Sequence, residues 1–286
     1  MSSLDQFESV FNAAAKDAFT PQSIQIKRIL IIQDLREELQ DDFLYLVKEF
    51  LAVLEKKTEV KWEIFGSEKP SKIHAILESV ENYRPDLIVT YRHLHCDSVD
   101  WFYGLGIHID VLTQATTTPV LILPNPDRNN LANSSFKRTK KVMAVTDHLA
   151  GDHSLVSYAA LFTQTDGTLF LAHVEDKSVF DRYIKAVSKI PDLDTETASE
   201  QIKARLLKDP NDYVESCKKR LTESLPTINI ERWVKLGSRM SDYRNLIDEN
   251  EIDLLVMYTK DDEQLAMHGV AYPLAVELKT TPLLML

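Results

Sequence analysis

Two histidines, a cysteine and an aspartate lie close together in the segment YRHLHCD at 91–97. His93, His95, Cys96 and Asp97 offer imidazole nitrogen, thiolate sulfur and carboxylate oxygen, which are ligand types that Zn²⁺ takes. A cysteine beside histidines can also act as a reactive thiol. The segment follows an apolar run typical of a buried strand, and α/β proteins place ligand sites at that end of their strands. One interpretation is therefore a metal or redox site at His93, His95 and Cys96; the other is a polar loop without a fixed role.

Motifs for known catalytic chemistry are missing from the rest of the sequence. It contains neither a Walker motif nor a dinucleotide-binding GxGxxG. His148 and His153 flank LAGD in what looks like a loop, and Ser154 lacks the sequence of a nucleophile elbow. We therefore expect no catalytic residues and no enzyme, with a weak ATPase activity as the open alternative.

Composition narrows the class of protein. The chain has 286 residues, enough for two domains, and its net charge of -11 argues against a nucleic-acid binder, which usually carries a basic face. Its two cysteines, Cys96 and Cys217, form no CxxC pair, which suits a reducing compartment and predicts a cytoplasmic protein. No secretory signal and no membrane-spanning apolar run is recognisable. Residues 4–18 carry apolar side chains at helical spacing and predict an amphipathic helix, interpreted as a structural arm.

Strands and helices alternate along the chain. Alternation of this kind predicts right-handed βαβ units and parallel sheets. We expect a polar helical region at 178–222, broken into two pieces around Asp209-Pro210. The other predicted strands are at 28–34, 60–65, 86–91, 119–123, 140–147, 168–174 and 228–237, and the other predicted helices at 41–57, 72–83, 108–115 and 154–167.

The chain repeats this order once. Residues 106–123 match residues 269–286, with the same spacing from glycine to proline; the two segments read GIHIDVLTQATTTPVLIL and GVAYPLAVELKTTPLLML. A stretch rich in Pro, Asn and Ser at 124–136 separates the copies and reads as a linker. The repeat predicts two domains, 1–126 and 127–286. The first copy has no counterpart of TLFLAHV and therefore predicts a shortened sheet.

The repeated motifs resemble the universal stress protein family in its tandem two-domain form. The resemblance rests on IIQD and AVTD at strand ends, on Gly66 and Gly237, on the DLIV and DLLV strands, and on the two TTP turns. It implies two tandem Rossmann-like parallel sheets, of the adenine nucleotide alpha hydrolase-like type, flanked by helices and packed as a pseudo-dimer. The last strands of the two copies are expected to pair, because they would otherwise be bare apolar edges. A homodimer of the whole chain is a further expectation.

Many members of this family bind ATP on a glycine-rich loop of the form G-x-x-G, followed after nine residues by G-S or G-T. Tyr91 and Leu94 fall at the first two glycine positions in the first copy, and Tyr258 and Asp261 in the second. Bulky side chains disfavour positive φ and block close approach of a phosphate. The motifs are therefore degenerate, and we expect no cofactor, with ATP or AMP as an alternative ligand of the second copy.

If a nucleotide binds, the resemblance implies a pocket at Asp147, the backbone of Val174, Lys260 and Gly269. The resemblance implies a non-catalytic stress-response protein that regulates by binding a protein partner or a small ligand, without nucleic acid or membrane. Two alternatives stay open: an ATP or AMP switch or weak ATPase in the C-terminal domain, and the metal or redox sensor at His93, His95 and Cys96.

Overall fold

The computed structural model describes residues 18–56, 58–66, 72–95, 104–128, 130–134, 136, 138–145, 151–191, 193–259 and 270–286. Several predictions fall on residues outside these ranges: nearly all of the helix over 4–18, together with Cys96, Asp147, His148, Lys260 and Gly269.

The described residues form nine strands and nine α-helices. The strands are β1 (Arg28–Gln33), β2 (Lys61–Gly66), β3 (Leu87–Tyr91), β4 (Val120–Leu123), β5 (Lys141–Val145), β6 (Thr168–Asp176), β7 (Asn229–Gly237), β8 (Leu254–Met257) and β9 (Leu283–Met285). The helices are α1 (Glu37–Phe50), α2 (Ala52–Glu55), α3 (Ile73–Tyr83), α4 (Ile107–Ala115), α5 (His153–Phe162), α6 (Lys177–Val187), α7 (Thr195–Ser224), α8 (Arg239–Asn250) and α9 (Ala271–Glu277).

All nine strands form one sheet in the order β2-β1-β3-β4-β9-β8-β5-β6-β7. Neighbours are parallel within β1–β4 and within β5–β9. The halves meet where β4 and β9 pair antiparallel, with Val120 opposite Met285 and Ile122 opposite Leu283. The predicted α/β class and the predicted pairing of the two last strands are confirmed. The two parallel sheets join into one continuous sheet.

The first half of the sheet has four strands and the second half has five. In the second half β6 lies between β5 and β7, whereas in the first half β2 pairs directly with β1. The sequence of β2 matches that of β7, but in the sheet β2 occupies the position of β6. Among the described residues the first half of the sheet thus has one strand fewer than the second, and β2 lies directly beside β1. The division of the chain into domains 1–126 and 127–286 stays a prediction.

Both faces of the sheet are buried, which explains why the sequences of its central strands are short apolar runs. Every residue of β3, β4, β8 and β9 is buried. None of the helices in the described ranges has the length and apolarity needed to cross a bilayer.

The aspartate of the repeated Asp-Leu motif has the same structural role in both halves. Asp86 Oδ2 accepts hydrogen bonds from the main-chain N–H groups of residues 27–28, both at 2.9 Å. Asp253 Oδ2 accepts from those of residues 140–141 at 2.9 and 2.8 Å. In both copies the residue two positions earlier ends a helix with φ of 50°. The motif therefore fixes how the helix and the next strand attach to the start of the first strand.

One prediction about the helices is wrong. The region at 178–222 divides at 188–194, and α7 continues through Pro210 without interruption. Asp194 caps the start of α7, where its carboxylate accepts from the Glu196 N–H at 3.0 Å. Proline deletes one hydrogen bond inside a helix, and tertiary packing outweighs that loss here because Pro210 is buried.

Residues 18–22 of the first half pack on helices of the second half. The Phe19 N–H donates to Ser216 Oγ at 2.8 Å, and the Gln22 N–H donates to Ser157 Oγ at 3.0 Å. The Phe19 ring meets that of Tyr213 edge-on, with centroids 6.3 Å apart. The halves are therefore joined by this segment as well as by the β4–β9 pair.

Candidate functional site

A buried carboxylate, Asp34, follows β1 at the carboxyl edge of the first half. Tyr91 Oη donates to Asp34 Oδ1. The guanidinium of Arg128 donates to both carboxylate oxygens, at 2.9 and 3.0 Å, and the His95 N–H donates to Oδ2 at 3.0 Å. Each oxygen of Asp34 thus has two donors. We call Asp34, Tyr91, His95 and Arg128 the Asp34 cluster.

Neighbouring strands and the linker bring this cluster together. Tyr91 is the last residue of β3, which pairs with β1, so its side chain reaches the residue that follows β1. Its ring packs edge-on against Phe43, with centroids 5.4 Å apart. Burial, and next the Asp34 carboxylate, raise the pKa of the Tyr91 phenol, so the hydroxyl stays protonated and donates. Arg128 comes from the stretch predicted to be a linker, and no local pattern indicated its partner.

The two histidines of the predicted metal site lie in a tight turn after β3. His93 and His95 both have positive φ, 60° and 56°. His95 Nδ1 lies 3.6 Å from Asp34 Oδ2, and its ring centroid lies 5.1 Å from that of His108. Among the described residues, no three His, Cys, Asp or Glu side chains are grouped to hold a metal ion. Because Cys96 lies outside those residues, the metal or redox site stays a prediction.

Gly106, the first residue of the repeated segment at 106–123, packs directly against that turn. A Cβ on Gly106 would lie 3.1 Å from His93 Cα, and the glycine has φ of 104°. Both features require glycine. Helix α4 begins at the next residue, Ile107, whose side chain is exposed. The glycine therefore serves close packing of the protein's own backbone.

Val174 lies in β6 of the second half, where the resemblance implies contacts between its backbone and adenosine. Its N–H donates to Tyr243 Oη at 2.9 Å, and its carbonyl accepts from Arg239 Nε at 3.0 Å. Both main-chain groups are thus hydrogen bonded to α8. The adjacent His173 is buried, and its Nε2 lies 3.2 Å from Glu175 Oε2. The other three residues of the predicted pocket lie outside the described residues, so the pocket stays a prediction.

An aromatic group at the start of α5 was not predicted. His153 is the first residue of α5 and not part of a loop. Its Nδ1 lies 2.9 Å from Tyr213 Oη, and the two rings stack with centroids 5.7 Å apart. Phe19 packs edge-on against the same histidine at 5.9 Å. Burial is the main cause that raises the pKa of Tyr213. His153 is therefore held by packing of the N-terminal segment and α7.

No protein-family model matches the sequence, and no curated protein matches it. Solved structures similar to the chain include a putative universal stress protein from Pseudomonas aeruginosa UCBPP-PA14, at 15% identity and TM-score 0.48, covering 100% of this chain and 88% of that one. A universal stress protein from Archaeoglobus fulgidus DSM 4304 is 13% identical with a TM-score of 0.47, covering 92% and 96%. The functionally unknown protein PA1789 from Pseudomonas aeruginosa PAO1 is 14% identical with a TM-score of 0.46, covering 100% and 88%. The solved structures similar to this chain thus include universal stress proteins, the family that its repeated motifs resemble.

Proposed function

We propose that this chain is a tandem protein of the universal stress protein type that regulates by binding a protein partner or a small ligand, without catalysis. The observation that carries the proposal is that groups an adenine nucleotide would use are already hydrogen bonded within the chain. Asp34, the strand-end aspartate of the first copy, has four donor contacts. Val174 has a partner on both main-chain groups.

Displacing these internal partners would weaken nucleotide binding. To contact the backbone of Val174, adenine would have to separate it from Tyr243, which is 1% exposed, and from Arg239. A buried polar group left without a partner costs about 1–3 kcal/mol. Each loss of about 1.4 kcal/mol in binding free energy lowers the affinity about tenfold. We therefore expect the chain to lack tight ATP binding. Its cysteine content separately supports the proposal that it acts in the cytoplasm as a binding protein.

An adenine nucleotide switch or weak ATPase in the second half is the alternative, and the five complete strands of that half support it. In this alternative Asp147, Lys260 and Gly269 would complete the pocket around Val174. A metal or redox sensor is the other alternative, supported by the approach of His95 to Asp34 and His108.

Isothermal titration calorimetry with ATP and AMP tests the proposal. The wild-type chain should give no saturable heat with either nucleotide. The double variant Tyr243→Phe, Arg239→Met removes both partners of Val174 and should gain measurable AMP binding. Arg244→Met is the matched control, because Arg244 lies on the same helix but pairs with Glu277 at the surface, 3.4 Å away.

Tight ATP binding by the wild-type chain that Asp147→Ala abolishes would refute the proposal and establish the nucleotide switch. Saturable zinc binding that His95→Ala abolishes would instead establish the metal sensor.

A further inference from the structure

Arg92 and Thr259 occupy equivalent positions on the two sides of the β4–β9 pair. Each follows a tyrosine in the matching segments DLIVTYR and DLLVMYT, which contain β3 and β8. The Arg92 N–H donates to the Leu123 carbonyl at 3.0 Å, and the Thr259 N–H donates to the Leu286 carbonyl at 3.1 Å. The backbones therefore correspond, and the two places differ in the side chain.

We call the β4–β9 pair the seam. In the first half, the side chain of Arg92 fills the space beside it. It is 2% exposed, and one of its terminal nitrogens donates to the carbonyl of Leu278, the residue that follows α9, at 2.5 Å. Its Nε is buried without a hydrogen-bond partner. Burial lowers the pKa of Arg92 to about 10. This side of the seam thus accommodates a guanidinium on a hydrocarbon stem against the carboxyl end of a helix.

In the second half, the shorter Thr259 leaves a cavity of about 190 Å³ at the equivalent place. Residues 116–118, Val120 and Met285 help to line it, and among the described residues no lining side chain is charged. Thr259 Oγ1 donates to the Leu286 carbonyl at 2.8 Å, which holds the threonine against the strand and away from the space that an arginine would fill.

The walls of this cavity suit a cation on a short apolar stem. Helix α4 ends at Ala115, the counterpart of Leu278 in the repeat, and the carboxyl end of a helix carries partial negative charge. Threonine hydroxyl oxygens can accept hydrogen bonds, while Val120 and Met285 offer apolar contact. We propose that this cavity binds a small guanidinium compound, whose cation takes the place that the Arg92 guanidinium fills on the other side of the seam.

This inference concerns a different place in the fold from the nucleotide positions and stands independently of the proposed function. Agmatine, which carries a guanidinium and an ammonium at the two ends of a four-carbon chain, is the probe. Its control is N-carbamoylputrescine, which keeps the ammonium and has an uncharged urea group in place of the guanidinium. Millimolar agmatine should raise the melting temperature of the wild-type chain saturably, and N-carbamoylputrescine should not. Calorimetry should give one site per chain.

Two variants locate the site. Thr259→Arg places the chain's own guanidinium in the cavity and should abolish agmatine binding. Arg92→Thr empties the opposite side, so it should lower the melting temperature, bind two agmatine molecules per chain and regain stability when agmatine is added.

The proposal is overturned if agmatine gives no saturable shift with the wild-type chain, or if Thr259→Arg leaves that shift unchanged. If Thr259→Arg does not fold, the Arg92→Thr variant decides: a failure of agmatine to restore its stability, or a restoration that N-carbamoylputrescine matches, overturns the proposal.

Discussion

Replacing Asp34 by asparagine tests whether the Asp34 cluster stabilises the fold through its buried hydrogen bonds. Asparagine keeps the size of the side chain but replaces one acceptor oxygen by an NH₂ donor. Because Tyr91, His95 and Arg128 all donate to this carboxylate, one of them would then face another donor.

The loss of stability on each substitution depends on how exposed the partner of Asp34 is. The side chain of Arg128 is 39% exposed, so it can return to water and its loss costs about 0.2–1 kcal/mol. The Tyr91 hydroxyl is buried, and a hydrogen bond to a charged group contributes about 1.5–3 kcal/mol. We expect Asp34→Asn to lower the free energy of unfolding by about 3 kcal/mol, Tyr91→Phe by about 2 kcal/mol and Arg128→Met by less than about 1 kcal/mol.

Urea unfolding followed by circular dichroism measures these differences as shifts of the midpoint at unchanged slope. The expected order of the shifts is Asp34→Asn, then Tyr91→Phe, then Arg128→Met. If Arg128→Met shifts the midpoint as far as Asp34→Asn, the partly exposed ion pair dominates the cluster and the reasoning from burial is wrong.

Three further outcomes follow from burial and backbone packing. Tyr91 and Tyr213 have pKa values raised above 10.0 in the fold, so their contribution to stability is complete below pH 10 and lost as the pH rises above it. The free energy of unfolding from urea titrations should fall above pH 10 by about 1.4 kcal/mol per pH unit for each tyrosine, and phenylalanine at either position should make this fall less steep. Burial raises the pKa of the Cys217 thiol to about 12, so in a chain whose other cysteine is serine, Ellman's reagent should react at pH 8 only after unfolding; rapid reaction of the native chain contradicts this. Gly167→Ala should cost about 1–3 kcal/mol, because its Cβ would lie 2.6 and 2.8 Å from two main-chain oxygens, whereas Gly66→Ala, whose nearest contact is a side-chain carbon at 3.3 Å, should melt close to wild type.

Local patterning predicted the sheet well because strands that are buried on both faces appear as short apolar runs. The run at 28–34 forms β1 and the run at 168–174 forms β6, which extends two residues further. The pairing of the two last strands was expected from the family resemblance and from their bare apolar edges, and the structure adds that they run antiparallel. Local rules failed at Pro210, where burial outweighed the intrinsic preference for a helix break.

The contacts within the candidate site could not be predicted, because they join residues far apart in the chain. Asp34 lies 57 residues from Tyr91 and 94 from Arg128, and Arg92 lies 186 from the carbonyl of Leu278. The aspartate at the end of IIQD was visible as a motif, but a single sequence gives no sign that an arginine in a linker would bind it.

The packing of residues 18–22 on α5 and α7 also bears on how the chain folds during synthesis. The Ser216 hydroxyl that receives the Phe19 N–H is translated 197 residues later. At about 5–20 residues per second, the segment waits roughly 10–40 s on the ribosome before its partner exists. A nascent chain stopped before α7 lacks both Ser216 and Tyr213, so Phe19 can then pack only against His153 of α5. The hydrogen bond to Ser216 therefore distinguishes finished chains from truncated ones.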